Sequence, residues 1–209
     1  MPIATLIGDV RHVRRAPDRD IVHQRLAAAL TEVNDGLGPV TPLRITVGDE
    51  YQGGFARVHD AVRATLRLRL ALAPDVEVRH GIGWGEVQVL QEEPRVEDGP
   101  GWWAARDAIE AAAQAEGRPG TRHRRTVFRR AEGTDGPDPA TLEAMLILRD
   151  ELVGGLSGRS VLVLRGLLAG STQRELAEEL GVTASAVSQR VRADGLAALV
   201  AADEELGAS

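Results

Sequence analysis

The order of strand-like and helical segments constrains the fold of this chain more than any other feature of its sequence. Short apolar or alternating runs predict strands, and apolar residues three or four positions apart predict helices. The N-terminal part shows strand, helix, strand, strand, helix and strand patterns, at residues 3–7, 21–33, 43–47, 51–55, 58–73 and 76–82. This order predicts a ferredoxin-like, palm-type α+β layer in which helices cover a sheet.

The chain changes character near residue 135. Before that point, an apolar run at 87–90 predicts a second hairpin with the strand that precedes it, and 102–116 predicts an alanine-rich helix. Gly133–Pro139 combines Gly, Pro and Asp, which is typical of a domain boundary, and only helical patterns follow it. We therefore expect two domains, residues 1–133 and 138–209.

Two capped helices joined by a tight turn are predicted in the C-terminal part. Thr172 and Glu175 have the spacing of a capping box, in which a threonine hydroxyl accepts a backbone N–H and a glutamate reaches back to the cap. Gly181 is typical of a helix end that needs a left-handed residue, Val182 can fill the corner, and Thr183 can cap the second helix. This arrangement predicts a helix-turn-helix, which places its second helix in the major groove of DNA.

The outer face of that second helix carries small and hydrogen-bonding residues suited to base edges, and Arg190 is placed to reach a phosphate. With the two caps, the predicted DNA-binding residues are Thr172, Gln173, Thr183, Ala184, Ser185, Ser188, Gln189, Arg190 and Arg192. The alternative is a plain helical hairpin that binds no DNA. It is favoured by the excess of acids over arginines from Asp138 onward, which disfavours contact with phosphates. The capping box, the glycine and the valine favour DNA binding.

Composition excludes several classes of protein. The chain has no cysteine, so disulfides and thiolate metal sites are ruled out. No apolar run is long enough to span a membrane, and we expect the protein in the cytoplasm. The formal net charge of −6 means that contact with nucleic acid depends on local arginines. The densest group of them, at Arg118–Arg130, is predicted to bind phosphates or to form a solvated loop.

Acidic residues occur where the predicted strands end. Asp9 follows the first strand, and Asp49 with Glu50 lies at the tip of the first hairpin. In a β-α-β-β order the first strand lies between its neighbours in the sheet, so we expect these carboxylates to meet at one edge. Carboxylate oxygens suit a hard cation, and the sequence therefore predicts a Mg²⁺ site.

Three arginines follow the first of these acids closely. Arg11, Arg14 and Arg15 can bind the phosphate oxygens of a nucleotide whose charge the cation neutralises. The alternative is that Gly-Asp forms an ordinary turn and that the arginines are solvated. Spacing alone leaves both interpretations open.

Two stretches of the N-terminal part resemble the SatD family of bacterial proteins. They are Thr5–Asp9, with the sequence TLIGD, and Ile45–Phe55, with the sequence ITVGDEYQGGF. The C-terminal helix-turn-helix belongs to the same family pattern, so the resemblance covers nearly the whole chain. It implies a nucleotide cyclase-like domain fused to a helix-turn-helix domain.

More distant resemblances concern nucleotidyl cyclases. Val47–Tyr51 is similar to the metal-binding hairpin of GGDEF diguanylate cyclases, and Arg79–Val87 and Trp102–Arg106 are similar to motifs of class III nucleotidyl cyclases. In class III enzymes two aspartates hold the metals. By resemblance these are Asp9 and Asp49, and Arg106 contacts the nucleotide.

The chain departs from the class III pattern at two positions. Trp102 stands where that pattern has a transition-state asparagine, four residues before the retained Arg106, and Ile45 replaces a purine-selecting lysine. Losing one preorganised contact to the transition state costs about a hundredfold or more in rate but need not abolish ground-state binding. These departures predict a domain that binds a purine nucleotide, with Mg²⁺, and has lost turnover.

The sequence thus predicts a nucleotide-responsive transcriptional regulator that binds double-stranded DNA as a homodimer. The ligand would bias the relative orientation of two recognition helices, because both must fit the spacing of their half-sites. Two alternatives stay open. One is an active nucleotidyl cyclase or nucleotidyltransferase with a regulatory helix-turn-helix domain, and the other is a metal-free interaction scaffold that needs neither aspartate.

Overall fold

A computed structural model describes residues 1–13, 19–115 and 117–208. Its helices and strands are, in chain order, β1 (Ile3–Val13), α1 (Arg19–Leu37), β2 (Thr41–Ile45), β3 (Glu50–Phe55), α2 (Val58–Leu72), β4 (Val76–Gly85), β5 (Gln88–Gln91), β6 (Val96–Asp98), α3 (Pro100–Ala115), β7 (Thr126–Arg130), α4 (Pro139–Gly154), α5 (Gly158–Leu168), α6 (Gln173–Glu179), α7 (Ala184–Ala193) and α8 (Leu196–Ala208). Among the described residues, no helix combines the length and the apolar content that crossing a membrane requires.

Five strands form the main sheet, in the order β2-β3-β1-β4-β7. The first four are antiparallel to their neighbours, and β7 runs parallel to β4. The order β1-α1-β2-β3-α2-β4, with β1 between β3 and β4, is the ferredoxin-like arrangement, so the predicted α+β fold is confirmed. A crossover through α3 adds β7 at the edge of the sheet.

Helices cover both faces of this sheet. The main core lies between the sheet and helices α1 and α2 and includes Leu6, whereas Trp102 of α3 contacts Ile7 on the opposite face. Because side chains alternate along a strand, Asp9 shares the α3 face with Ile7. Val10 shares the other face with Leu6. One face of β1 therefore lies toward α3, and the other lies toward α1 and α2.

Glycines at alternate positions of β4 bring α3 close to the sheet. A Cβ atom at Gly81 would lie 2.3 Å from the carbonyl oxygen of Ala105, and one at Gly83 would lie 2.2 Å from that of Gly101. Such distances are too short for real atoms, so only glycine allows this approach. Since α3 also carries Arg106, the approach sets how far the Arg106 guanidinium reaches over the sheet.

Two details of the strands differ from the prediction. β1 continues to Val13, so Asp9 lies within the strand and not after it, because β4 pairs with β1 along its whole length. The run at 87–90 does not form a hairpin with β4. It contributes β5, which pairs with β6 in a separate two-stranded sheet. Both edges of β4 are already occupied, by β1 and β7.

The C-terminal helices pack directly against the sheet domain. Leu146 of α4 lies in the main core, while Leu66 and Leu70 of α2 belong to a second core built otherwise from the C-terminal helices. Helices α2 and α4 therefore join the two regions. The division into residues 1–133 and 138–209 stays a prediction.

A buried carboxylate reinforces this junction. Asp150 of α4 is fully buried and accepts hydrogen bonds from Arg69 of α2 at 3.0 Å and from Arg149 at 3.1 Å. It also accepts the backbone N–H groups of Arg125 at 2.6 Å and Thr126 at 2.7 Å. Burial opposes ionisation of Asp150, but the charges of Arg149 and Arg69 and the backbone hydrogen bonds outweigh it and lower the pKa. The carboxylate thus connects α4 to α2 and β7.

Candidate functional site

Two acids and two arginines meet on the face of the sheet that α3 covers. Asp9 of β1 lies opposite Glu50 of β3 and Arg79 of β4. Arg79 donates to both carboxylate oxygens of Asp9, from Nε at 2.9 Å and from Nη2 at 2.5 Å. Arg106 of α3 donates to both oxygens of Glu50, each at 2.9 Å. We refer to these four residues as the acid–arginine cluster.

The acid–arginine cluster is electrically balanced and open to solvent. The hydrogen bonds from Arg106 lower the pKa of Glu50, and the same bonds raise the pKa of Arg106. Each acid faces one guanidinium through two parallel hydrogen bonds, which is the strongest geometry for such a pair. The Arg106 side chain is 45% exposed and that of Arg79 is 19% exposed. Solutes can therefore reach the cluster without unfolding.

The three predicted metal ligands do not form a ready-made cation site. Asp9 and Glu50 lie side by side, but each is bound to an arginine. Asp49 lies in the turn before β3 and lines a depression of about 410 Å³ formed with Val10 and α1, on the other face of the sheet. In the part of the chain that the structure describes, no group of three or more histidines or acids is arranged to hold a metal ion. As arranged, these residues do not fit Mg²⁺.

The predicted phosphate-binding arginines have separate locations. Arg106 belongs to the acid–arginine cluster, whereas Arg11 pairs with Glu77 at 2.8 Å. Arg14 and Arg15 lie outside the described residues. Of the two members of this set that the structure describes, Arg106 lies beside the two acids of the cluster and Arg11 does not.

Trp102 occupies the position at which the class III pattern has a polar residue. Its side chain is buried in the small core beneath α3, where it contacts Ile7. It therefore contributes to packing, and its indole N–H has no hydrogen-bond partner within the described residues. Trp103, its neighbour, is exposed and donates from Nε1 to Asp98 at 2.8 Å.

A buried polar pair lies in the sheet near the cluster. The Tyr51 hydroxyl and Nε2 of His80 are 2.7 Å apart, and both side chains are fully buried. Burial, followed by the charge of Arg149, lowers the pKa of His80 to about 3. Burial and the charge of Asp9 raise the pKa of Tyr51 well above its usual value. Both groups are therefore uncharged at neutral pH.

The predicted helix-turn-helix is confirmed in its local geometry. Thr172 Oγ1 accepts the Glu175 N–H at 3.2 Å, and the Glu175 carboxylate accepts the Thr172 N–H at 2.7 Å, which completes the capping box. Gly181 has a φ of 63°, the left-handed conformation that ends α6. Val182 packs into the second core, and Thr183 caps α7 by accepting a backbone N–H at 3.1 Å. The motif thus holds α7 by its caps and its corner.

Most of the predicted DNA-binding residues are exposed. The exposed ones are Thr172, Gln173, Thr183, Ala184, Ser185, Gln189 and Arg192, and Ser188 is half-buried. Within the described residues, the side chains of Ser185, Gln189 and Arg192 make no hydrogen bond or ion pair with the rest of the chain. Val187 and Val191 form the buried face of α7, and Ala186 beside them is exposed.

Arg190 differs from its neighbours on α7. Its Nη1 donates to Ser157 Oγ at 3.2 Å and to Ser160 Oγ at 3.0 Å, and it lies 3.8 Å from Asp194. These contacts connect α7 to the first turn of α5. Contact of Arg190 with a DNA phosphate stays a prediction.

Comparison with protein families assigns both parts of the chain. The model of the SatD family matches residues 3–126, which is more than half of the chain. A model described as winged helix-turn-helix DNA-binding matches residues 169–193. No strand follows β7 in the residues that the structure covers, so helices alone surround the motif. No curated protein matches the chain.

Solved structures similar to this chain include nucleotide cyclases. The catalytic core of a rhodopsin-guanylyl cyclase with converted specificity, in complex with ATPαS, has 15% identity and a TM-score of 0.44 and covers 52% of this chain and 71% of that chain. A bacterial light-regulated adenylyl cyclase has 14% identity and a TM-score of 0.47, and the match covers 61% of this chain and 43% of that chain. The guanylate cyclase domain from Catenaria anguillulae, in complex with GTP, has 16% identity and a TM-score of 0.41, and the match covers 52% of this chain and 72% of that chain.

Proposed function

We propose that this chain, which belongs to the SatD family, is a DNA-binding transcriptional regulator whose N-terminal domain binds a nucleotide. The outer face of α7 carries the DNA-binding part of the proposal. Ser185, Gln189 and Arg192 lie on a capped helix and have no partner within the described residues. Side chains of this kind on the second helix of the motif contact base edges in the major groove. They give up no internal contact when DNA binds.

We also propose that the protein binds DNA as a homodimer. One helix-turn-helix reads a single half-site, and two copies place their recognition helices one helical turn apart. The net charge of −6 limits binding through phosphates alone. Specific contacts in two half-sites therefore supply most of the affinity.

DNA binding is tested by selecting duplexes from a random-sequence library with the full chain. In the selected site, Gln189→Ala is expected to weaken binding about tenfold, since one good base contact contributes about 1–3 kcal/mol. Arg192→Ala is expected to weaken binding to the selected site by a similar factor and to relax the sequence preference at the position that Arg192 contacts. Arg57→Ala is the control, because Arg57 is similarly exposed but pairs with Asp60 in α2. Failure to enrich any sequence would contradict the proposal.

For the nucleotide, we propose that the acid–arginine cluster is the phosphate site. Arg79 and Arg106 each present a guanidinium fork, and phosphate oxygens match that fork as well as carboxylate oxygens do. Asp9 and Glu50 then occupy, in the absence of ligand, the places of phosphate oxygens. A nucleotide binds by exchange for these internal partners. The family resemblance implies that its base is a purine.

Replacing Asp9 separates this proposal from a Mg²⁺ site. If Asp9 only holds Arg79, Asp9→Asn removes the carboxylate that neutralises the guanidinium and should tighten binding of ATP or GTP in EDTA by roughly tenfold. If Asp9 is a metal ligand, the same variant instead loses the Mg²⁺-dependent part of the affinity. Calorimetry with and without Mg²⁺ measures both, and Asp75→Asn, which removes another acid paired with an arginine, is the control.

We propose further that the nucleotide is bound and not converted. Trp102, whose side chain is buried, replaces the asparagine that contacts the transition state in the class III pattern. Incubation with each nucleoside triphosphate and Mn²⁺ or Mg²⁺ should therefore yield no cyclic or linear product. A product that Asp49→Ala abolishes would favour an enzyme instead.

A further inference from the structure

We infer that a cleft between α2, α4 and α8 binds a small, uncharged and mainly apolar molecule that carries one hydrogen-bonding group. The cleft has a volume of about 370 Å³, which is within the range of small-molecule sites, roughly 300–1,000 Å³. It is lined by residues of α2, α4 and α8 only. It contains no residue of the acid–arginine cluster and none of the outer face of α7, so it is a separate site.

Apolar side chains form most of the wall. They include Leu66 of α2, Met145, Leu148 and Leu152 of α4, and Leu199 and Leu206 of α8. Leu148 is 68% exposed and Leu152 is 46% exposed, one helical turn apart. Large adjacent apolar side chains in contact with water mark a binding surface, because covering them is favourable.

Two buried polar atoms in the wall indicate what the ligand carries. Asp203 is 5% exposed, and its Oδ2 accepts from Arg63 at 3.2 Å and from Arg67 at 3.3 Å. Its Oδ1 has no hydrogen-bond partner within the described residues, and neither does Nε of Arg63. Buried polar atoms in folded proteins are nearly always paired. Asp203 lines the cleft, so a ligand N–H or hydroxyl group bound there can supply the donor that Oδ1 lacks.

The charges around the cleft favour an uncharged ligand. Asp203 already pairs with Arg63 and Arg67, and Arg149, which also lines the wall, pairs with Asp150. A cationic ligand would approach three guanidinium groups, and an anionic one would approach the unpaired carboxylate oxygen of Asp203. Removing an unbalanced charge from water is unfavourable in either case.

The position of the cleft gives the ligand a structural effect. Helix α2 belongs to the sheet domain, and α8 packs in the second core with Val187 and Val191 of α7. A molecule in the cleft contacts both regions at once. Binding therefore stabilises their association, since a ligand that binds only the folded chain raises its stability.

The test uses N-phenyl-1-naphthylamine, an uncharged apolar fluorophore with one N–H donor, and the full chain. We expect saturable fluorescence with one probe bound per chain. Ala202→Phe places a ring in the cleft and should weaken probe binding about tenfold or more. Ala201→Phe is the matched control, because Ala201 is the exposed neighbour of Ala202 on α8 and does not line the cleft. This variant should bind within about twofold of the unmodified chain.

The hydrogen bond is tested without changing the protein. 1-Benzylnaphthalene has a similar shape but no donor, and we expect it to bind about fivefold or more weakly in competition with the fluorophore. Equal affinity for the two compounds, or equal binding by the Ala202→Phe and Ala201→Phe variants, would overturn the assignment. So would a chain that binds no probe and sediments as a dimer, with Ala202→Phe converting it to monomers, because a second copy would then cover the cleft.

Discussion

The acid–arginine cluster and the outer face of α7 both carry polar residues, but their state in the folded chain is different. In the cluster, each carboxylate holds a guanidinium through two hydrogen bonds. On α7, Gln189 and Arg192 face solvent and have no partner within the described residues. A ligand at the cluster must exchange for an existing ion pair, whereas DNA at α7 displaces only water. Removal of a side chain is thus expected to weaken binding at α7 and, for an acid of the cluster, to strengthen it.

The basic segment at Arg118–Arg130 is a third region of polar residues, in which arginines pair with acids that are distant in the sequence. Arg124 and Arg129 both pair with Glu143, and Arg125 pairs with Glu77 at 3.0 Å. These arginines hold β7 and the loop before it against α4 and β4. A dense run of positive charge in a sequence is therefore no sign of a nucleic-acid site until its internal partners are known.

The largest expected effect tests whether the two regions unfold together. Asp150→Asn leaves Arg69 and Arg149 buried without a counter-charge and should lower the free energy of unfolding by about 3–5 kcal/mol. Urea denaturation followed by circular dichroism measures it. Glu151→Gln, the exposed neighbour, should change the value by less than about 0.5 kcal/mol. Two separate transitions in the unmodified chain would show that the junction does not join the regions.

A smaller change in the free energy of unfolding is expected when the pH is lowered. Histidine titration can cause it only in the sheet domain, because no histidine follows His123 in the sequence. His80 has a pKa of about 3 when folded, against 6.5 for an unperturbed histidine. Below pH 6.5 the unfolded chain therefore binds a proton that the folded chain does not. The stability contributed by uncharged His80 is present above pH 6.5 and is lost as the pH falls toward 3. At pH 5 this loss is about 2 kcal/mol.

Urea denaturation at pH 7 and at pH 5 measures this loss. His80→Gln is uncharged at both values and can still bond to Tyr51, so its free energy of unfolding should fall less between them. An equal fall in the variant and in the unmodified chain would assign the pH dependence to other groups.

The smallest effect concerns the helix-turn-helix itself. Thr172→Ala removes the cap of α6 and should lower the free energy of unfolding by about 1 kcal/mol. Ser185→Ala changes an exposed position of α7 and should leave stability within about 0.5 kcal/mol while weakening DNA binding. If Ser185→Ala lowered stability as much as Thr172→Ala, the Ser185 side chain would make an internal contact, and the outer face of α7 would not be available to DNA as proposed.

The sequence predicted the features that depend on near neighbours. The capping box joins Thr172 and Glu175, three residues apart, and the left-handed Gly181 ends α6 by local geometry. The order of strands and helices was predictable for the same reason, since periodicity is a local property.

The arrangement of the candidate site was less predictable, because its partners are distant in the chain. Arg79 and Asp9 are 70 residues apart, and Arg106 and Glu50 are 56 apart. Arg79 had no assigned role, since only the register of β1 on β4 shows that it faces Asp9. The Mg²⁺ prediction paired Asp9 with Asp49 by position in the strand order, but strand order does not determine on which face a turn residue lies.

The glycines of β4 make the candidate site sensitive to positions that bind nothing. A single methyl group at Gly83 would strike the backbone of α3 and lift the helix away from the sheet. Arg106 would move away from the sheet with α3, although Arg106 and the two acids would themselves be unchanged. In such a protein, substitutions that change the distance between α3 and the sheet can change the affinity for a phosphate without altering any residue that binds it.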